Sequence, residues 1–234
     1  MLSYNVRSLR DDTAALVRVV RACAPDVLCV QEAPRFAGWL GRAARLARAT
    51  GLLYVAGGAP SCGTLILAAP RAVPERAEAV AWPRAPGLHR RGLAVAVFRF
   101  LAGGEPRRLA VASCHLSLDA AERRAQGGLL LNRAAELAEE AGHAVVAGDL
   151  NERPGGRTFR LLSGRLTDAR RAAPEGGEHT FPAPAPDRRI DAVLCTPGVE
   201  VLGCGVPAVP GAADLRRATD HLPVLARLRL PPRP

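Results

Sequence analysis

Apolar residues along the chain occur in short runs that alternate with amphipathic segments, a pattern typical of layered α/β proteins. The run at residues 26–30 reads DVLCV and is apolar after its first position. Such a run predicts a strand that is buried on both faces. Similar runs predict strands at residues 2–6, 64–69, 93–100, 109–114, 144–147, 190–195 and 222–230. Turns containing Gly and Pro separate the runs at 64–69, 93–100 and 109–114, which favours antiparallel hairpins among them.

Four segments have the periodicity or the end signals of helices. The first follows N-cap candidates at residues 11–13 and ends before Pro25. Asp119 and Glu122 resemble a capping box for a helix that ends at Ala141, before Gly142. The other two helices are expected at residues 36–49 and 156–163, and a polar, Pro-rich connection is expected at residues 172–188.

The length and composition of the chain indicate one domain. The 234 residues are 48% apolar, which is enough to bury one large core. Neither a repeat nor an internal linker divides the sequence. We therefore expect a single domain at residues 1–230 and a disordered tail at residues 231–234, which read PPRP.

Targeting and cysteine patterns suggest an intracellular protein. The sequence has neither a secretory signal pattern nor a run of 18 apolar residues. We expect a cytoplasmic protein with no stable membrane insertion. The six cysteines form neither a Cys-x-x-Cys pair nor a zinc-type spacing, which indicates reduced, mostly buried thiols. Nothing in the sequence indicates a protein partner, and a monomer is expected.

All 32 basic residues are arginine, and the formal net charge is +10. The lack of lysine excludes Schiff-base and lysine-nucleophile chemistry. Two explanations of the arginine excess remain open. One is a phosphate-bearing partner, which guanidinium groups bind through paired hydrogen bonds. The other is a coding bias that also enriches Ala, Gly and Pro, so charge alone does not identify a nucleic-acid partner.

Polar residues lie at the ends of most predicted strands. Each one alone has an ordinary structural explanation, such as a turn residue, a surface acid or a hydrogen-bonded core histidine. Their combination favours a functional site, because loops at strand ends can bring several side chains to one point. The residues are Asn5, Gln31, Glu32, His115, Asp149, Asn151, Asp191, Asp220 and His221.

This set of side chains suits metal-assisted hydrolysis of a phosphoester. A hard cation such as Mg²⁺ prefers oxygen ligands, for which Glu32 and Asn5 are candidates, and it neutralises charge on the scissile phosphate. Asp149 is the best candidate for the carboxylate that deprotonates or orients the attacking water. His221 paired with Asp191 would stabilise the transition state.

Six short motifs occur in order between residues 3 and 224: SYN, PDVLCVQE, SCHLS, VVAGDLNERP, RRIDAVL and TDHLPV. Because these motifs occur in the family's order and next to matching strands, the sequence resembles the endonuclease/exonuclease/phosphatase superfamily. That superfamily includes pancreatic-type deoxyribonuclease, exonuclease III-like repair nucleases, neutral sphingomyelinases and inositol-polyphosphate 5-phosphatases. The resemblance covers nearly the whole chain. It implies a four-layered α/β/β/α sandwich, in which helices flank two mostly antiparallel sheets and the site lies at one edge.

The resemblance also implies a role for each matching residue on the metal and water side of the site. Glu32 would be the principal metal ligand, with Asn5 beside it touching metal or phosphate. Asp220 would be a further acid on the metal side. Asp149 would activate the water, and Asn151 would position that water or the phosphate.

The remaining matches concern the phosphate. His221 would contact it and would be oriented by Asp191. His115 corresponds to the second histidine of the deoxyribonuclease and sphingomyelinase branches, whereas exonuclease III-type repair nucleases have a tyrosine there. Arg35 and Arg91 occupy places where the family often has phosphate-facing arginines.

The leading hypothesis is a Mg²⁺-dependent phosphodiesterase or phosphatase that uses in-line attack by an activated water, with Mn²⁺ as an alternative ion. The rival is a non-catalytic module of the same fold that binds phosphate or nucleic acid through its arginines. Within the enzyme class, the basic charge supports DNA or RNA as substrate. Aromatic residues make up only 4% of the chain, which leaves few to stack on bases. A lipid or a small soluble phosphodiester therefore stays open.

Overall fold

The structure, a computed structural model, describes residues 1–102 and 105–231, so most of the predicted tail lies outside the described residues. The described residues form twelve strands and six α-helices. The strands are β1 Leu2–Asn5, β2 Val27–Gln31, β3 Leu53–Gly57, β4 Leu65–Ala68, β5 Val73–Ala81, β6 Gly92–Ala102, β7 Glu105–His115, β8 Ala144–Asp149, β9 Thr167–Asp168, β10 Asp191–Cys195, β11 Glu200–Gly205 and β12 Val224–Arg229. The helices are α1 Thr13–Cys23, α2 Trp39–Thr50, α3 Ala120–Ala141, α4 Arg157–Ser163, α5 Ala169–Ala172 and α6 Ala212–Ala218.

Two six-stranded sheets form the centre of the fold. The first has the order β11-β12-β1-β2-β4-β3, and the second has the order β5-β6-β7-β8-β10-β9. Strands β1 and β2 run parallel, as do β7 and β8, and the other pairs are antiparallel. The prediction of two mostly antiparallel sheets is therefore confirmed.

Alternating side chains of the central strands separate the layers. In β2, Val27 and Cys29 pack between the two sheets, whereas Leu28 and Val30 pack under α1 and α2. The outer face of the second sheet packs in the same way against α3 and α4. Because successive side chains of a strand point to opposite faces, a run that is apolar throughout supplies both interfaces. The result is the predicted α/β/β/α sandwich.

Strand direction brings the polar strand ends to one edge of the sandwich. The parallel strands β1 and β2 both end there, and the antiparallel strand β12 begins there. In the second sheet, His115 at the end of β7 lies opposite Asp149 at the end of β8. Asp191 begins the antiparallel strand β10 and also lies opposite Asp149.

The strands that the sequence pattern missed are the outermost strands of both sheets, β3, β5, β9 and β11. An edge strand has one neighbour and a solvated side, so its sequence need not be apolar. Strand β5, for example, is largely exposed. The predicted hairpin between β6 and β7 is confirmed. The expectation that residues 64–69 pair with residues 93–100 was wrong, because β4 pairs with β2 and β3 in the other sheet.

Several element ends also differ from prediction for local reasons. Helix α2 begins at Trp39 instead of residue 36, because Gly38 before it has a left-handed φ of 75°. Asp119 caps α3 as predicted, but the capping box is not closed, since its amide donates to Ser117 Oγ (3.1 Å). Strand β8 extends past residue 147 to Asp149. This acid therefore lies in the sheet and not in the turn that follows.

Two further features concern membranes and thiols. Across residues 1–102 and 105–231, no helix is long and apolar enough to cross a membrane. The six cysteines are free, and four of them are buried. Burial raises the pKa of the Cys29 thiol to about 12, which keeps it protonated and unreactive at neutral pH.

We expect Gly148→Ala to destabilise the protein and to displace Asp149. A Cβ at this position would overlap the carbonyl oxygen of Cys114 in the neighbouring strand. Overpacking of this kind costs about 1–3 kcal/mol, which urea unfolding would measure. Gly128→Ala in α3 is the matched control, because open space surrounds that position and the change should add up to about 1 kcal/mol of stability. Equal effects of the two changes would contradict this account of strand packing.

Candidate active site

The buried carboxylate of Asp149 lies at the centre of the polar edge. Its Oδ1 accepts a hydrogen bond from the Asn151 amide (2.9 Å), and its Oδ2 accepts one from Asn5 Nδ2 (3.1 Å). Burial and the nearby Asp191 carboxylate raise the pKa of Asp149 to about 7, although His221 and both hydrogen bonds oppose this rise. A carboxylate that titrates near neutral pH is suited to accept a proton from water.

Asn5 connects the two sheets at this edge. Its Nδ2 donates both to Asp149 and to Glu32 Oε1 (3.3 Å), and its Oδ1 accepts from the Arg7 amide (3.1 Å). Asn5 therefore presents its NH₂ group, and not its oxygen, to Glu32. Glu32 itself has a left-handed φ of 52°, and its carbonyl oxygen accepts from the Ser8 amide (2.7 Å). This backbone conformation is uncommon outside glycine and is typical of functional positions.

His221 and Asp191 form the predicted pair. His221 Nδ1 lies 2.9 Å from Asp191 Oδ2, and His221 Nε2 lies 3.8 Å from Asp149 Oδ2. Burial lowers the pKa of His221, but the carboxylates of Asp191, Asp149 and Asp220 outweigh burial and raise this pKa to about 9. His221 is therefore an imidazolium at neutral pH, and it can donate to an anion.

His115 approaches the same carboxylate from the second sheet. Its Nε2 lies 3.4 Å from Asp149 Oδ2. Burial, together with the charges of Arg91, His221 and Arg35, holds the pKa of His115 well below its usual value. The two histidines around Asp149 are thus in opposite charge states, with His115 neutral. No motif in the sequence points to an acid partner for His115, and the structure places Asp149 in that position.

The two arginines predicted to face phosphate lie close to these groups. Arg91 is half-buried; burial lowers its pKa, whereas the nearby charges of Asp149 and Glu32 raise it. Its Nε is buried and has no hydrogen-bond partner among the described residues. Arg35 Nη1 donates to the Cys62 carbonyl (3.4 Å), and the charge of Arg35 lowers the pKa of Arg91. Positive charge is therefore concentrated beside the carboxylates of Asp149 and Glu32.

Asp220 and Asn151 make contacts that the sequence did not indicate. Asp220 Oδ2 lies 3.4 Å from Arg7 Nε, and its Oδ1 accepts from the Thr219 hydroxyl (3.2 Å). Asn151 has a left-handed φ of 50°, and its Nδ2 donates to the Leu116 carbonyl (2.8 Å). The same hydrogen bonds therefore shape both the turn after β8 and the site.

One group of side chains and one separate carboxylate could hold a metal ion. Asp149, Asp191 and His221 bring donor atoms within 4.8 Å of one another. In this set, however, Asp191 Oδ2 and His221 Nδ1 are bonded to each other, and a histidine must lose its proton to bind metal. Glu32 offers a half-buried carboxylate whose hard oxygens suit a divalent cation. The chemistry of the donors therefore favours Glu32.

Sequence reasoning included Gln31 among the polar strand ends but missed its buried partners, Ser3 and Ser113. Gln31 Nε2 donates to Ser113 Oγ of the other sheet (3.2 Å), and Ser3 Oγ donates to Gln31 Oε1 (3.4 Å). Gln31 itself was visible as a polar residue at the end of an apolar run, but no local pattern indicates which residues it contacts. Phe181, whose ring centroid lies 4.7 Å from that of His221, was also missed. It lies in the Pro-rich connection, where no periodic pattern indicates its place.

Comparison with known proteins agrees with this geometry. The model of the endonuclease/exonuclease/phosphatase family matches residues 2–221. No curated protein matched the chain. Solved structures that are similar include an endonuclease/exonuclease/phosphatase from Bacteroides vulgatus, with a TM-score of 0.75 and 20% identity over 98% of both chains.

Two further similar structures have a named activity or a bound ligand. A mannosyl-6-phosphatase from Bacteroides thetaiotaomicron has a TM-score of 0.79 and 17% identity over 98% of both chains. D. rerio TDP2, in complex with a single-strand DNA product, has a TM-score of 0.71 and 18% identity over 97% of both chains. At identities this low, the likeness shows a shared fold and not a shared substrate.

Asp149→Asn should flatten the pH dependence of stability in the metal-free protein. The pKa of Asp149 rises from 3.8 to about 7 on folding, so the folded state binds this proton more tightly. The free energy of unfolding therefore falls as pH rises through that interval, by about 1.4 kcal/mol per pKa unit. The raised pKa of His221 adds a further decrease in the free energy of unfolding as pH rises. Removing the charge of Asp149 makes this second decrease smaller as well.

Urea unfolding in EDTA at about pH 5 and about pH 8.5 measures this difference. We expect the stability of the Asp149→Asn variant relative to the wild type to increase between the two pH values. The same pH dependence of stability in the variant and the wild type would contradict a raised pKa of the buried Asp149 carboxyl.

Proposed function

The chain belongs to the endonuclease/exonuclease/phosphatase family, whose members hydrolyse phosphoester bonds, and from that premise we propose that it is a Mg²⁺-dependent hydrolase of the phosphodiesterase type. The observation that carries this proposal is the environment of Asp149. Two hydrogen bonds hold its carboxylate, one protonated and one neutral imidazole lie beside it, and its pKa lies near 7.

Asp149 is the group that takes the proton from the attacking water. Its pKa near neutrality matches the optimum for a general base. The Asn151 amide and Asn5 Nδ2 hold the carboxylate in one orientation, so the accepting oxygen need not reorganise during the reaction.

The phosphate is held by groups that carry positive charge or donate hydrogen bonds. His221, protonated and oriented by Asp191, donates from Nε2 to an oxygen of the phosphate as negative charge develops there. Neutral His115 is a second donor. Arg91, with a buried and unpartnered Nε among the described residues, and Arg35 supply further positive charge.

Magnesium is the proposed cofactor; Glu32 would hold it, with Asp220 as the further acid. The family depends in general on divalent metal ions, and carboxylate oxygens are the ligands that Mg²⁺ prefers. When bound, the ion would neutralise charge on the scissile phosphate. Asn5 acts beside it as a donor that links Glu32 to Asp149, which refines the ligand role expected from the resemblance.

Nucleic acid is the first substrate to test. The net charge of +10 and the arginines at the site favour a polyanion. The TDP2 structure contains a single-strand DNA product, which is compatible with this choice. The mannosyl-6-phosphatase structure makes a sugar phosphate the main competing substrate.

Asp149→Asn and His221→Ala should each lower kcat by roughly 10²- to 10⁴-fold, because each removes a proton-transfer or charge-stabilising group. The assay uses single-strand DNA, plasmid, abasic duplex, RNA, sphingomyelin, inositol phosphates and mannose 6-phosphate, with Mg²⁺ present. Asp26→Asn is the matched control, since this acid is only half-buried and pairs with Arg71 away from the site.

Wild-type activity should disappear in EDTA and return with Mg²⁺ or Mn²⁺. Full turnover in EDTA would refute the metal requirement. Salt-sensitive binding of nucleic acid without turnover of any substrate would support the non-catalytic alternative instead.

Glu32→Gln should weaken metal binding by about tenfold or more, roughly 1.4 kcal/mol, because it removes a charged oxygen ligand. Mn²⁺ binding measured by electron paramagnetic resonance tests this without any substrate. Asp191→Asn removes a carboxylate from the alternative donor set and should leave Mn²⁺ affinity within about twofold. The reverse result would place the metal at Asp149, Asp191 and His221.

A further inference from the structure

A short segment of the Pro-rich connection, residues 180–183, forms backbone hydrogen bonds with the residues on either side of His221. The Leu222 amide donates to the Thr180 carbonyl (2.6 Å), and the Ala183 amide donates to the Asp220 carbonyl (2.7 Å). These bonds lie on both sides of His221. They fix the backbone from which the imidazole projects.

The same segment is bonded to the start of β10, which carries Asp191. The buried Thr180 hydroxyl accepts from the amides of Ile190 (3.2 Å) and Asp191 (3.3 Å), and the Thr180 amide donates to the Arg188 carbonyl (2.7 Å). Thr180 is therefore linked to both members of the His221–Asp191 pair. Asp191 begins β10 of the second sheet, whereas His221 lies in the loop before β12 of the first sheet.

Phe181 follows Thr180 and contacts the imidazole itself. The two ring centroids are 4.7 Å apart, with an interplanar angle of 49°. The Arg188 guanidinium also lies over the Phe181 ring, 4.8 Å from its centroid. Within the described residues, Phe181 belongs to none of the three apolar clusters that form the core. The Phe181 ring therefore packs mainly against groups at the site and not in the apolar core.

One hydrogen bond alone does not fix the plane of the His221 ring. The bond from Nδ1 to Asp191 leaves rotation about the Nδ1···Oδ2 line, and Nε2 is 3.8 Å from Asp149. A flat ring packed against the imidazole removes most of that freedom, because tilted aromatic contacts have preferred geometry.

We propose that Thr180 and Phe181 are positioning residues for the His221–Asp191 pair, Thr180 by tying the two chain segments together and Phe181 by holding the plane of the imidazole. This inference rests on the proposed function of His221 as the donor to phosphate. Misplacement of a catalytic group by about 1 Å can cost about 10²-fold in rate. The effect should therefore appear in kcat and not in KM.

Phe181→Leu should lower kcat roughly tenfold or more and leave KM within about twofold, because the leucine fills space but does not hold the ring plane. Phe181→Tyr keeps the ring and should restore kcat to within about twofold of the wild type. Thr180→Val and Thr180→Ser form the corresponding pair for the hydroxyl. Phe98→Leu is the matched control: it removes an aromatic ring from the core between the sheets and should lower thermal stability without lowering kcat.

A double-mutant cycle separates positioning from general loss of structure. In the His221→Ala background, Phe181→Leu should cause no further loss of kcat, because the group that it positions is gone. Independent losses that multiply in the double variant would overturn the proposal. Equal losses for the leucine and tyrosine variants would overturn it as well.

A spectroscopic measurement tests the positioning without any turnover. In the ¹H–¹³C spectrum of the metal-free protein at one fixed pH, His221→Gln identifies the Cε1–H signal of His221. Phe181→Leu should shift this signal, since it removes the adjacent ring current, and should broaden or split it as the imidazole takes more than one orientation. An unshifted, sharp signal would overturn the proposal. Wild-type protein without hydrolytic activity would instead refute the proposed function, and this spectrum would still decide the role of Phe181.

Discussion

The burial of one carboxylate between two sheets is the interaction on which the site depends. Asp149 is only 2% exposed, so its charge must be stabilised by neighbours instead of water. Asn5 and the Asn151 amide donate to it, and two histidines approach it. Because a buried charge is costly, these neighbours must stay in place, and the same geometry that permits folding holds the groups for which we propose catalytic roles.

The architecture explains why so many polar residues meet at this carboxylate. Parallel neighbours end at the same edge of a sheet, and antiparallel neighbours begin there, so strands of both directions place polar residues along that edge. Packing the two sheets face to face then brings the polar edges of both sheets together. Asn5 comes from the first sheet and His115 from the second, and each lies within 3.4 Å of an oxygen of Asp149.

The charge states around Asp149 follow from position more than from residue type. His115 and His221 are both buried, but His221 has Asp191 bonded to its Nδ1, whereas His115 faces arginine charge. One is therefore an imidazolium and the other is neutral, and the site has a donor of each kind.

The sequence by itself determined the central strands and the set of polar residues, because buried strands must be apolar on both faces and a polar residue at the end of such a run is easily recognised. The layer order came from the resemblance of the motifs to the family. It missed the four edge strands, which are free to be polar, and it placed β4 beside β6 although they lie in different sheets. Only the tertiary structure decided that Asn5 presents its NH₂ group to Glu32, that Asp149 lies next to His115, and that Phe181 packs on His221. These contacts join residues far apart in the chain, and the orientation of a side chain depends on neighbours that no local pattern specifies.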